Sequence, residues 1–171
     1  FVKDIEITME ANPGTFEAEK FAGYRKLGIY RLSIGVQSFA DHQLKHLGRI
    51  HDGQQAVAAI KMAKEAGFDN FNIDLMHGLP DQSQAQALAD IQQAIDLGPT
   101  HLSWYQLTIE PNTEFFKRPP VLPEDETLWD IQEAGQALLA KHGFDQYEVS
   151  AYAQAGKQAT QNLNYWQFGD Y

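Results

Sequence analysis

Residues 70–82, NFNIDLMHGLPDQ, carry the reading of the fold. Phe71, Ile73, Leu75 and Met76 make a short β-rich apolar run, which Gly78, Leu79 and Pro80 end with turn residues. Amphipathic stretches with helical spacing lie on either side, at 54–66 and 84–97. A strand set this closely between helices belongs to βαβ units, because parallel strands need a crossover of about this length. Asp74 stands inside the run, where an apolar residue would be expected. A buried carboxylate without partners is costly, so the strand must supply hydrogen-bond donors or a ligand for it.

The same order repeats outward from this unit. Further strand-like runs lie at 4–10, 30–37, 101–107 and 146–150, and helical patterns at 15–27 and 124–141, with a shorter turn of helix at 41–47. Several helices finish on glycine, in KLGI, EAGF and KHGF. Thr15 caps one helix with Glu17 and Glu19 in its first turn, and Pro123-Glu124-Asp125 opens the last long one. Five strand-helix units predict a parallel sheet. No glycine-rich dinucleotide turn and no phosphate-binding loop follows any strand, which favours a (β/α) barrel, or an arc of one, over a doubly wound sheet.

At 171 residues, 43% of them apolar and 12% aromatic, the chain has enough apolar content for one globular core. Its formal charge of -10 and isoelectric point of about 4.9 argue against a broad contact with nucleic acid or anionic lipid. No run reaches the roughly 18 apolar residues of a membrane span. A cytoplasmic location is expected, with peripheral membrane contact left open. Cysteine is absent, so nothing in these residues ligates zinc or an iron-sulfur cluster through thiolate. The six histidines have no metal-ligand spacing, and no metal site is expected. The chain opens on Phe1 without methionine and closes on an aromatic run, which reads as a segment cut at both ends.

In a parallel barrel the ligand site forms at the carboxyl ends of the strands. Glu10, Gln37, Asp74, Gln106 and Glu148 each fall at or near such an end. Singly, each has an ordinary explanation as a strand-end charge or a loop tie. Five on one rim point to a ligand site. ANPGT after Glu10 and HGLPD after Asp74 give tight turns that let backbone approach a ligand. Arg49, in LGRIH, adds a guanidinium suited to a carboxylate. The closing QNLNYWQFGDY reads as irregular chain, serving either as an aromatic plug or as a surface for a planar ligand.

Six of these stretches together, EITMEANPGT, RLSIGVQSF, LGRIH, FNIDLMHGLP, LSWYQLTIEPNT and NYWQFGDY, resemble the central part of the radical S-adenosylmethionine proteins related to oxygen-independent coproporphyrinogen III oxidase. Among these, the HemW-like haem chaperones are the nearer resemblance. It implies that residues 1–171 are the central and C-terminal part of a partial (β/α) TIM-like barrel with parallel strands, of radical SAM type. It implies a [4Fe-4S] cluster and S-adenosylmethionine at the top of the barrel. Glu10 and Gln37 would contact the ribose region of S-adenosylmethionine, Arg49 its carboxylate and Asp74 its polar groups. The backbone around Thr108 would approach the adenine. Asn162, Tyr165 and Trp166 would lie at a haem site, with Gln161 where the family pattern has a histidine.

The family's three-cysteine loop precedes the position of Phe1, so these residues alone are expected to be inactive in cleaving S-adenosylmethionine. The intact parent would bind haem, S-adenosylmethionine and the cluster, and pass haem to haem-accepting proteins. The alternative is oxidative decarboxylation of coproporphyrinogen III. An unrelated barrel enzyme using Glu10 and Asp74 as an acid-base pair is a third reading of the residues alone.

Overall fold

The computed structural model describes residues 5–15 and 18–169. A six-stranded sheet runs through it in the order β1-β2-β3-β4-β6-β5. Strands β1 (Thr8–Ala11), β2 (Arg31–Gln37), β3 (Asn70–His77) and β4 (His101–Gln106) are parallel neighbours. Between them run α1 (Ala18–Lys26), α2 (Asp41–His46), α3 (Gly53–Glu65) and α4 (Gln84–Leu97). After β4 come α5 (Glu114–Lys117) and α6 (Asp125–Lys141), then β5 (Asp145–Gln146), β6 (Ala151–Ala153) and α7 (Thr160–Trp166). The expected Thr15 cap with Glu17 lies outside the described residues.

Each central strand alternates strictly, and this builds the layers. Leu32, Ile34 and Val36 on β2, Phe71, Ile73 and Leu75 on β3, and Leu102 and Trp104 on β4 are buried in one core with Phe21, Ile60, Ile91 and Ile131 of the flanking helices. Helices α1, α3, α4 and α6 therefore cover one face, as the crossovers of a partial (β/α) barrel do. The opposite face carries Arg31, Ser33 and Gly35, then Asn72 and Asp74, then His101, Ser103 and Tyr105. It is polar along most of β2 to β4, with Met76 beside Tyr105 near the carboxyl ends. The expectation that position 74 should be apolar is corrected here: with a period of two, residue 74 shares its face with Asn72, not with Ile73 and Leu75.

Local signals set the helices. Asp52 with Gln55, and Ser83 with Gln86, form reciprocal capping boxes at the starts of α3 and α4. The glycines of KLGI, EAGF and KHGF lie at left-handed φ of 93°, 87° and 79° just past α1, α3 and α6. Trp104 packs against α6 where Gly135 leaves space: a Cβ there would strike the indole ring.

The fifth parallel unit expected at 146–150 is not formed. Residues 145–153 make a hairpin whose second strand, β6, pairs antiparallel with β4, leaving β5 outermost. Only four residues separate β5 from β6, enough to reverse the chain but far too few for a crossover. Glu148 sits in that turn, bonded to Ser150, and is not at the carboxyl end of a strand. Residues 160–166, read as irregular, are the helix α7.

Candidate functional site

The polar face of the sheet is held by a connected set of hydrogen bonds. Asp74 accepts from Asn72 Nδ2 at 2.7 Å and from Ser33 Oγ at 3.1 Å. Asn72 Nδ2 also reaches Ser33 Oγ at 2.8 Å, while its Oδ1 meets Ser103 Oγ at 3.2 Å and His101 Nδ1 at 2.7 Å. His101 Nε2 lies 2.6 Å from the Tyr147 hydroxyl, which also meets the Ala159 amide and Asn162 Nδ2. The carboxylate on β3 is thus supplied with donors by the protein itself, which answers the question its sequence position raised. Burial still pushes its pKa above the usual carboxylate value; the Asn72, Ser103 and Ser33 donors pull it back, and Glu10 adds to the rise.

Glu10, Asp74 and Asn162 line one cavity of about 200 Å³, floored by Arg31, Ser33, Asn72, His101 and Ser103 and flanked by Ala159 and Gln161. Three of the residues singled out in the sequence therefore meet, although the outer two stand far apart in the chain. Arg31 is 5% exposed and its Nε has no hydrogen-bond partner. Burial lowers its pKa, against the raising influence of Glu6, Tyr147 and Asp74.

Gln37 stands further along the same face, at the carboxyl end of β2. The pairing of β2 with β3 slips between Gly35 and Gln37, which leaves Val36 as a bulge and swings Gln37 to a left-handed φ of 67°. The freed carbonyl of Val36 accepts from His51 Nε2 at 3.1 Å. Sequence reasoning passed over His51, although it sits in the same LGRIH stretch as Arg49. The loop after Gln37 is held by Asp90 of α4, which accepts from Ser38 Oγ at 2.6 Å and the Phe39 amide at 2.8 Å. Asp90 is buried, with its pKa raised chiefly by that burial. It also went unread, since nothing in an amphipathic helix marks one acid as a loop anchor.

The Gln37 side chain lies over the bare Cα of Gly35, where a Cβ would come within 3.2 Å of both its Nε2 and Asn12 Oδ1. Gln37 is 4% exposed, and its Oε1 has no partner. Tyr105 joins the group: burial and the Asp74 carboxylate raise its pKa, while Gln37 and the Arg49 guanidinium lower it. Arg49 itself is exposed. Thr108 is exposed, donates to Glu110 Oε1 at 3.0 Å, and lines a different cavity of about 550 Å³ between β4 and α6. Tyr165 and Trp166 project from the end of α7, 58% and 52% exposed, with their rings edge to face at 5.6 Å. Asn162, by contrast, turns inward to Tyr147.

The arrangement offers acceptors to a ligand rich in donors. Gln37 Oε1, Glu10 and Asp74 suit hydroxyl or ammonium groups, and Arg49 suits a carboxylate. S-adenosylmethionine presents these groups, and the orphaned Gln37 oxygen above Gly35 fits one of its donors. An iron-sulfur cluster does not fit these residues, because the chain has no cysteine. Among the described residues no group of histidines and acids is placed to hold a metal ion. No helix there is long and apolar enough to cross a membrane.

Comparison with known proteins adds the following. The Radical SAM superfamily matches residues 1–94. The heme chaperone HemW of Escherichia coli is 62% identical over 98% of this chain and 44% of its own length. That of Haemophilus influenzae is 60% identical over 100% of the chain and 45% of its own. Among solved structures, the coproporphyrinogen III oxidase HemN of Escherichia coli, a radical SAM enzyme, superposes with a TM-score of 0.81 at 26% identity, over 95% of this chain and 38% of that one. The chain spans less than half the length of these relatives. With its parallel strands, flanking helices and polar inner face, and with the superfamily matched over more than half its residues, the chain belongs to the radical SAM superfamily.

Proposed function

We propose that these residues are the barrel portion of a haem chaperone that binds S-adenosylmethionine on the polar face of its sheet, carries haem, and passes it to haem-accepting proteins in the cytoplasm. The observation that carries the cofactor half is Gln37, a buried acceptor without a partner, set by a backbone bulge over a glycine and beside Asp74. The haem half is supported by the 62% identity to the Escherichia coli heme chaperone and by the aromatic pair on α7.

In this reading Gln37 accepts from the ribose region, Glu10 and Asp74 from further hydroxyl or ammonium groups, and Arg49 pairs with the carboxylate. The backbone at Thr108 passes the adenine, while its hydroxyl stays with Glu110. A [4Fe-4S] cluster, held by residues outside this chain, would supply an electron and an open coordination site. These residues alone are therefore inactive in cleaving S-adenosylmethionine. Tyr165 and Trp166 offer flat apolar surface to haem. With Gln161 in place of histidine, the axial ligand comes from elsewhere, since glutamine is a poor ligand for haem iron.

The rival reading is oxidation of coproporphyrinogen III, favoured by the likeness to HemN. The intact protein with its cluster reconstituted separates the two. Haem binding followed by absorbance, with no turnover of coproporphyrinogen III, is expected; turnover without haem binding overturns the chaperone. For the cofactor, Gln37→Ala should weaken S-adenosylmethionine by about tenfold, the loss of one buried hydrogen bond. Unchanged affinity in calorimetry would remove Gln37 from the site.

A further inference from the structure

The hydrogen bonds on the polar face form a single chain whose direction can be assigned from end to end. As a carboxylate, Asp74 only accepts, so the Asn72 amide must turn its Nδ2 towards it and its Oδ1 away. That oxygen also only accepts, so the proton between it and His101 sits on Nδ1. His101 is 1% exposed, and burial, with the Arg31 guanidinium beside it, holds its pKa down to about 3. It is neutral, and Nε2 is bare. The Tyr147 hydroxyl, 2.6 Å away, therefore donates to Nε2 and has only its oxygen left to accept from Ala159 N–H at 3.1 Å and Asn162 Nδ2 at 3.0 Å. Ala159 caps α7, and Asn162 lies in its first turn. A charge on β3 thus orients an amide on α7 through Asn72, His101 and Tyr147.

We propose that Tyr147 and His101 are positioning residues that couple the docking of α7 to the Asp74 carboxylate, so that a ligand bound at Asp74 tightens α7 and a docked α7 favours that ligand. The proposal rests on the reading above for the identity of the ligand, S-adenosylmethionine, but the coupling itself does not need the ligand. A chain held in one direction by a fixed charge loses that constraint when the charge goes, and linkage makes the effect reciprocal.

The test uses the full-length protein, with histidine ¹⁵N NMR for the tautomer of His101 and hydrogen exchange for 159–166. In the unaltered protein His101 should carry its proton on Nδ1, and S-adenosylmethionine should slow exchange in 159–166. Tyr147→Phe should weaken S-adenosylmethionine by about fivefold and abolish the slowing, the least that a coupling free energy of this kind is worth. Asp74→Asn, without any ligand, should let His101 populate both tautomers and speed exchange in 159–166. A proton on Nε2 in the unaltered protein overturns the proposal. So does an Asp74→Asn protein with unchanged tautomer and unchanged α7 exchange, or a Tyr147→Phe protein whose α7 still responds fully to S-adenosylmethionine. If instead Asp74→Asn leaves S-adenosylmethionine affinity unchanged while His101 and α7 respond, the coupling stands and the assigned ligand falls.

Discussion

Asp74 shows how much one parity step matters. Read as a member of an apolar run it demands a ligand; placed on the polar face it has Asn72 and Ser33 as donors before any ligand arrives. Its pKa is nevertheless raised, so folding favours the protonated form. The stability tied to that form is complete below the unfolded value of 3.8 and is lost as pH rises through the higher folded value. At neutral pH the carboxylate is therefore a net cost. Asp74→Asn should leave unfolding stability at pH 7 unchanged or higher, by up to about 1 kcal/mol, because the amide sheds the desolvation penalty and accepts from Asn72 in one of its two orientations. Urea unfolding of the two proteins checks this, and a loss of more than that amount would make Asp74 a structural keystone.

At the scale of elements, the helices and the four parallel strands were legible because their periodicities are strong and their caps explicit. The polar inner face was legible as well, in R-S-G on β2, N-N-D on β3 and H-S-Y on β4, had alternation been weighed above the apolar count. The hairpin of β5 and β6 was hidden, because two short runs separated by four residues look like one strand with a polar end. The bulge in β2 was hidden more deeply: the carbonyl it frees on Val36 is taken up by His51, a contact across 15 positions. Gly135 is a sharper case. In a helix interior, alanine for glycine usually adds about 0.5–1 kcal/mol. Here the new methyl would strike the Trp104 ring, so Gly135→Ala should instead cost about 1–3 kcal/mol and shift α6 away from β4. Thermal unfolding with near-ultraviolet circular dichroism reads both effects, and a stabilised variant would contradict the packing described.

For the whole molecule, two buried histidines set the response to acid. Burial brings His77 down to about 4, with Gln132 opposing it, and His101 down to about 3, with Arg31 reinforcing it. Both folded values lie below the unfolded 6.5, so their contribution is complete above that pH and is lost as pH falls through about 4 and then about 3. Across these windows His77 is worth on the order of 3 kcal/mol and His101 on the order of 5 kcal/mol. Asp74 and Asp90 act with the opposite sign, so the clean measure is a difference. Between pH 6.5 and 4, His77→Gln should lose less stability than the unaltered protein, and parallel pH profiles would show that His77 is not held neutral by the fold.

The hairpin has a final consequence, for what the sheet can join. By taking the place beside β4, β6 leaves as the outer border a β5 of two exposed residues, Asp145 and Gln146, with Gln136 leaning on the latter. A border so short and polar offers almost no ladder for another strand to copy. The hairpin thus closes this flank of the sheet to strand addition.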